Sequence, residues 1–177
     1  MKKVWGATLV TLAVSSVAAH AAPQSYYGKT LKVSWNETRS QRVQGEGAFR
    51  SMSVPMSFTV YVSSKGQIFR RVTSTSQRGV SGSKDRVGSG GSDSQGSGQI
   101  SFQGNTLIST TNNGGLGRRI RVTFDGASSC SAEVLTGKAG AGVSTVRSNA
   151  TGKMLEFESV SAGSASCSVR EGNGFAD

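Results

Sequence analysis

Apolar residues recur at every second position from Met52 to Val62. Met52, Val54, Met56, Phe58, Val60 and Val62 alternate with Ser53, Pro55, Ser57, Thr59, Tyr61 and Ser63. A period of two sends alternate side chains to opposite faces of an extended chain, so the segment predicts a strand with one buried face. Proline has no amide hydrogen for a ladder, which places Pro55 near the strand's start or on a free edge. Leu31, Val33 and Trp35 alternate in the same way with Lys32, Ser34 and Asn36, and shorter alternations follow at 68–72, 100–102, 120–124 and 155–157. Beyond Trp35 the expected course leaves the sheet. If that face instead lines an interior, Trp35, Glu37 and Arg39 form a buried polar ladder. No stretch repeats every 3.6 residues, and the pattern predicts an all-β fold.

Turn residues between the apolar runs point to antiparallel hairpins. Ser64, Lys65 and Gly66 suit a short connection from Val62 to Ile68, with glycine in the positive-φ position. Gly104 and Asn105 suit a tight turn that sets Phe102 opposite Leu107. A loop from Asp125 to Ser129 predicts a register: Phe124 opposite Cys130, Val122 opposite Ala132, and Ile120 opposite Val134. Arg121 then faces Glu133 on the outer side as a cross-strand ion pair. Residues 76–98, rich in Gly and Ser, predict a flexible excursion between strands. Residues 139–152 predict a shorter loop, and the chain from Gly172 is expected to fray. Residues 113–117 lack the following helix of a phosphate loop and predict a hairpin connection. These elements make one antiparallel domain over 22–177, of about eight or nine strands, with barrel-like (calycin-like) closure favoured over a two-sheet sandwich.

The first residues change the picture of where this domain works. Lys2 and Lys3 precede an apolar stretch from Val4 to Ala19, and Ala19, His20 and Ala21 give the small-x-small spacing of a signal-peptidase site. Residues 1–21 therefore predict a signal peptide of bacterial type, cleaved before Ala22, and a periplasmic or secreted chain with no membrane span of its own. Export makes Cys130 and Cys167, the only two cysteines, a predicted disulfide. Their strands must then be neighbours, face each other across the core, or bend together at their ends. His20 is the sole histidine. A mature chain without it builds no Ser-His-Asp triad, Cys-His dyad or His-ligated metal site, and two cysteines alone complete no zinc site. Nothing predicts a metal or a cofactor.

Charge supplies the candidate chemistry. The 20 Lys and Arg outnumber the 10 Asp and Glu, and after removal of the leader twelve of the cations are arginine. Guanidinium forks match phosphate and carboxylate oxygens. Arg70 with Arg71, and Arg118 with Arg119 and Arg121, cluster in sequence and form the candidate face for an anionic ligand. Trp35, Glu37, Phe58 and Phe102 are the candidate lining of an internal cavity. A hollow there favours carriage of a small amphipathic molecule; a filled interior leaves the outer face or the loops as the working surface. Anionic envelope lipid and polysaccharide are the other partners this charge favours. Nucleic acid is disfavoured, because Trp35, Tyr61 and Phe69 make no stacking motif and the chain is expected outside the cell.

The segment from Lys29 to Arg42, the run from Val60 to Phe69, the turn from Gly104 to Leu107 and the stretches around Cys130 and Cys167 resemble a family of small exported all-β proteins of soil alphaproteobacteria. The resemblance implies export and a single domain, and it transfers no site. The functional expectation is an exported, non-enzymatic β-domain binding an anionic or amphipathic ligand at the cell envelope or outside. The alternatives are a hydrolase built on Glu37 or another carboxylate, with two carboxyls about 5–9.5 Å apart, and a structural or protein-interaction module of the envelope.

Overall fold

Each alternating run forms a strand, and the strands divide between two antiparallel sheets. The computed structural model describes residues 22–75, 81–88, 98–148 and 151–175; the expected signal peptide lies outside them. The larger sheet contains β1 (Lys29–Val43), β2 (Arg50–Val62), β3 (Ile68–Thr75), β4 (Ser81–Gly88), β9 (Ser144–Arg147), β10 (Met154–Ala162) and β11 (Ser166–Glu171). Its order is β4-β3-β2-β1-β10-β9, with β11 also paired to β1. The smaller sheet runs β5 (Gly98–Gln103), β6 (Thr106–Asn113), β7 (Leu116–Phe124) and β8 (Cys130–Lys138) in sequence order. The larger sheet curls like half a barrel. Each sheet keeps its own ladder, and among the described residues no ladder closes the two into one ring.

Strands exceed the expected eight or nine because β4 and β9 form inside segments whose composition predicts loops. β4 pairs with β3 from Ile68–Gly88 to Thr75–Ser81, so ladder bonds outweigh the entropic cost of ordering Gly and Ser there. Residues 76–80 and 89–97 of the expected excursion lie outside the described residues. β1 also runs past Trp35 to Val43, paired on one flank with β2 and on the other with β11 and then β10. The β2–β3 ladder spans only Met56 to Val62, so Pro55 sits in mid-strand where its one paired flank is β1. The segment expected to fray is tied down: Gly172 N–H donates to Gly28 O, the Thr30 hydroxyl donates to Gly172 O, and Gly174 N–H donates to Thr30 Oγ1.

Local turn chemistry set the hairpins as expected. Phe102 faces Leu107, and the β7–β8 register pairs Phe124 with Cys130, Val122 with Ala132 and Ile120 with Val134. Gly66 takes a φ of 76° in the β2–β3 turn. Arg121 does stand opposite Glu133, but both are exposed and no ion pair forms, as the small worth of a surface pair allows.

The two sheets share one core. Val33, Phe58 and Val60 of the larger sheet are buried with Ile100, Phe102, Leu107 and Val122 of the smaller. Tyr26, from a short 3-10 turn (Gln24–Tyr26), closes one end with its ring centroid 4.2 Å from Phe124 and 5.9 Å from Phe102. The space left there, bordered by Phe102, is about 10 Å³, at the lower limit for a single water. Cys130 at the start of β8 and Cys167 in β11 are joined by a disulfide with Cα atoms 5.7 Å apart. The bond fastens one edge of the smaller sheet to the flank of β1, where β8 runs beside β10 and β11.

Candidate functional site

Adjacent residues of a strand point to opposite faces, and this parity disperses the five arginines clustered in sequence. Arg70 points inward and is 3% exposed, donating across the core to Ser109 Oγ at 3.1 Å and Gln99 O at 3.4 Å. Arg71 lies on the outer face of the larger sheet, with its guanidinium 4.8 Å from the Phe175 ring centroid. Arg118 points inward, while Arg119 and Arg121 are exposed on the outer face of the smaller sheet. The structure therefore brings no single arginine face together. Of the expected cavity lining, Trp35, Phe58 and Phe102 are packed into the core. They do not line one hollow together: Phe102 borders a void of about 10 Å³, and Trp35 reaches a concavity on the outer face.

Glu37 is the exception that the interior accommodates. It sits on β1 with the parity of Trp35, is 1% exposed, and is held from both sides. Arg39 donates to Oε2 from Nε (3.0 Å) and Nη2 (2.6 Å), and Arg118 of β7 donates to Oε1 from Nε (2.8 Å) and Nη2 (2.5 Å). Arg118 also lies 5.7 Å from the Trp35 ring centroid, and Arg39 Nη2 reaches Met56 Sδ at 3.2 Å. Burial by itself would push the Glu37 carboxyl up. The charges of Arg118 and then Arg39, with their hydrogen bonds, outweigh it and hold the pKa below the ordinary glutamate range. The sequence-level expectation that β1 leaves the sheet after Trp35 fails because these two cations compensate the buried charge. Trp35 Nε1, Gln41 Oε1 and Thr136 Oγ1 are buried without a hydrogen-bond partner among the described residues. Each such orphan costs about 1–3 kcal/mol, so this half of the interior is its least satisfied part.

The remaining carboxylates nearby serve β1 from outside. Glu156 accepts from Arg42 Nε at 2.6 Å, and Glu158 accepts from the Ser40 hydroxyl at 2.7 Å. No second carboxylate shares the interior with Glu37 among the described residues.

A concavity of about 530 Å³ opens on the outer face of the larger sheet. Lys32, Ser34 and Asn36 of β1, Pro55 and Ser57 of β2, Thr73 of β3 and the connection through Ser164, Ala165 and Ser166 line it, with Trp35 and Met56 contributing to its floor. The ladders align four of these hydroxyl residues across adjacent strands: Ser166 opposite Ser34, Ser34 opposite Ser57, and Ser57 opposite Thr73. The next row along the strands is Ser168, Lys32, Thr59 and Arg71, and the row after it includes Tyr61 and Phe69, whose ring centroids are 6.1 Å apart. Among the described residues Lys32 makes no ion pair, and the side chains of Ser34, Ser57, Thr73 and Asn36 make no hydrogen bond. Alternation in the sequence placed Lys32, Ser34, Asn36, Pro55 and Ser57 opposite the apolar face and assigned no side to Thr73 or Ser166. The β2–β3 turn was enough to match Ser57 with Thr73, but nothing local carried Ser166 to Ser34, 132 residues away.

No helix of the described residues is long and apolar enough to cross a membrane. No group of three or more His, Cys, Asp or Glu among the described residues is placed to hold a metal ion. Neither a protein-family model nor a curated protein matches the chain.

Proposed function

We propose that this is an exported, non-enzymatic β-domain that binds an anionic ligand, at the cell envelope or outside, in the outer groove of its larger sheet. The observation that carries the reading is that groove of about 530 Å³, where the Ser34, Ser57 and Thr73 hydroxyls and the Asn36 amide make no hydrogen bond, and Lys32 no ion pair, among the described residues. Once Lys2 and Lys3 leave with the leader, the net charge of +10 becomes +8, which draws anions toward it at long range. The disulfide is compatible with an oxidising compartment. The filled core favours an outer working surface over carriage inside, and the curled sheets act as a flattened, barrel-like shell supporting it. Against a hydrolase stands the state of Glu37: four N–H donors occupy both its oxygens, and its depressed pKa makes it a poor base and a poor acid.

The test is co-sedimentation with an insoluble acidic polysaccharide and with anionic phospholipid vesicles, each across a salt series. Retention that falls with salt and is lost in Lys32→Glu is the expected result. A protein that neither surface retains at low salt overturns the reading.

A further inference from the structure

We infer that the occupant of the groove is an extended acidic glycan lying across the strands, perpendicular to β1, β2 and β3; this rests on the anionic-ligand reading and narrows it. The hydroxyls that line the groove are not scattered. Ser166, Ser34, Ser57 and Thr73 form a straight cross-strand row, with neighbours about 4.8 Å apart and the whole row about 14 Å long. That step is close to the length one sugar residue adds in an extended chain, so successive sugars meet successive hydroxyls.

The flanking rows supply the other two recognition elements of a charged sugar. Lys32, exposed and without an ion pair among the described residues, stands in the next row beside Thr59. An acidic group on one sugar meets this ammonium while the neighbouring sugars meet the hydroxyl row. Beyond them the half-buried rings of Tyr61 and Phe69 offer apolar faces of the kind on which the C–H face of a pyranose rests. Gly172–Gly174 is hydrogen-bonded to Thr30 on the side of the Tyr61 row, and Ser164–Ser166 borders the groove at the β11 end of the hydroxyl row. A lipid acyl chain fits poorly, because it would strip water from unpaired hydroxyls and return no hydrogen bond. A single phosphate fits poorly as well, since the donors are spread along a line and do not converge on one oxyanion.

Isothermal titration of the full chain with acidic oligosaccharides of two to eight sugars, beside neutral oligosaccharides of the same backbone, tests this. Affinity is expected to rise with length up to about four sugars, the number of hydroxyl residues in the row, and then level off. Lys32→Gln, at an exposed position, is expected to weaken the acidic series by about tenfold and leave the neutral one nearly unchanged. Ser57→Val is expected to weaken both, with circular dichroism showing an unaltered fold. Binding to anionic vesicles that Lys32→Gln abolishes, with no binding to any oligosaccharide, overturns the glycan inference and leaves the anionic-ligand reading standing. Acidic-glycan binding that neither variant changes removes the groove as the site and overturns both.

Discussion

Replacing Glu37 by Gln keeps the volume and deletes the charge at the point where the two sheets are clamped. Glu37 is 1% exposed and receives N–H donors from Arg39 at 3.0 and 2.6 Å and from Arg118 at 2.8 and 2.5 Å. The variant leaves two guanidinium groups against a neutral amide, one of whose atoms is itself a donor. Breaking one side of a buried pair typically costs about 3–5 kcal/mol. The side chains of Arg39 and Arg118 are 16% and 22% exposed, so water reaches part of each cation. The expected loss therefore falls at the lower end, about 3 kcal/mol. For a domain of this size that lowers Tm by about 6–12 °C. Urea titration followed by circular dichroism measures it, with an m-value equal to wild type confirming that the native fold is the starting state. A loss below about 1 kcal/mol would place the cluster among exposed ion pairs and refute the clamp.

The same residue sets an acid limit. Because the folded pKa of Glu37 is depressed, its stabilisation is complete above the unfolded glutamate value, about 4.3, and fades as pH falls through the folded value. The gap between wild type and Glu37→Gln is expected to hold its full size near pH 7 and to shrink below about pH 4. A gap that widens on acidification contradicts the assignment.

Three further outcomes follow from the packing. Reducing the Cys130–Cys167 bond, which spans 37 residues, is expected to remove about 4 kcal/mol in the chain-entropy model, read as a lower Tm with dithiothreitol than without. Thr136→Val replaces a buried hydroxyl that has no partner with a methyl group of similar shape, and is expected to stabilise the fold by about 1 kcal/mol in the same urea titration. Gly114 has a φ of 56°, and a Cβ there would collide with the Thr145 carbonyl oxygen and crowd Val146. Gly114→Ala is expected to cost about 2 kcal/mol or more by combining backbone strain with that clash, measured as a drop in thermal midpoint.

Much of the fold was legible because strand parity and turn length act locally. The loop from Asp125 to Ser129 fixes the β7–β8 register whatever the rest of the chain does, and the two faces of β2 follow from alternation alone. The same parity already separated Arg70 from Arg71 and Arg118 from Arg119; grouping them as one face treated nearness in sequence as nearness in space. Glu37 was harder. Its parity pointed inward, but a buried carboxylate is tolerable only with compensating cations, and Arg118 lies 81 residues further along. β4 and β9 were hidden for the opposite reason: Gly and Ser give a weak strand signal, and neighbouring strands supply the ladder bonds that local propensity lacks.

By itself, then, the amino-acid order determined the all-β character, the buried face of each strong strand, the tight hairpins and the pairing of the two cysteines. Each depends on residues close in the chain or on there being only two thiols to join. Only the tertiary structure decided that β1 continues to Val43, that Glu37 meets Arg118, and that Ser166, Ser34, Ser57 and Thr73 fall into one row. A period of two states which way a side chain points but not which strand lies beside it; that choice is made by the packing of the whole sheet.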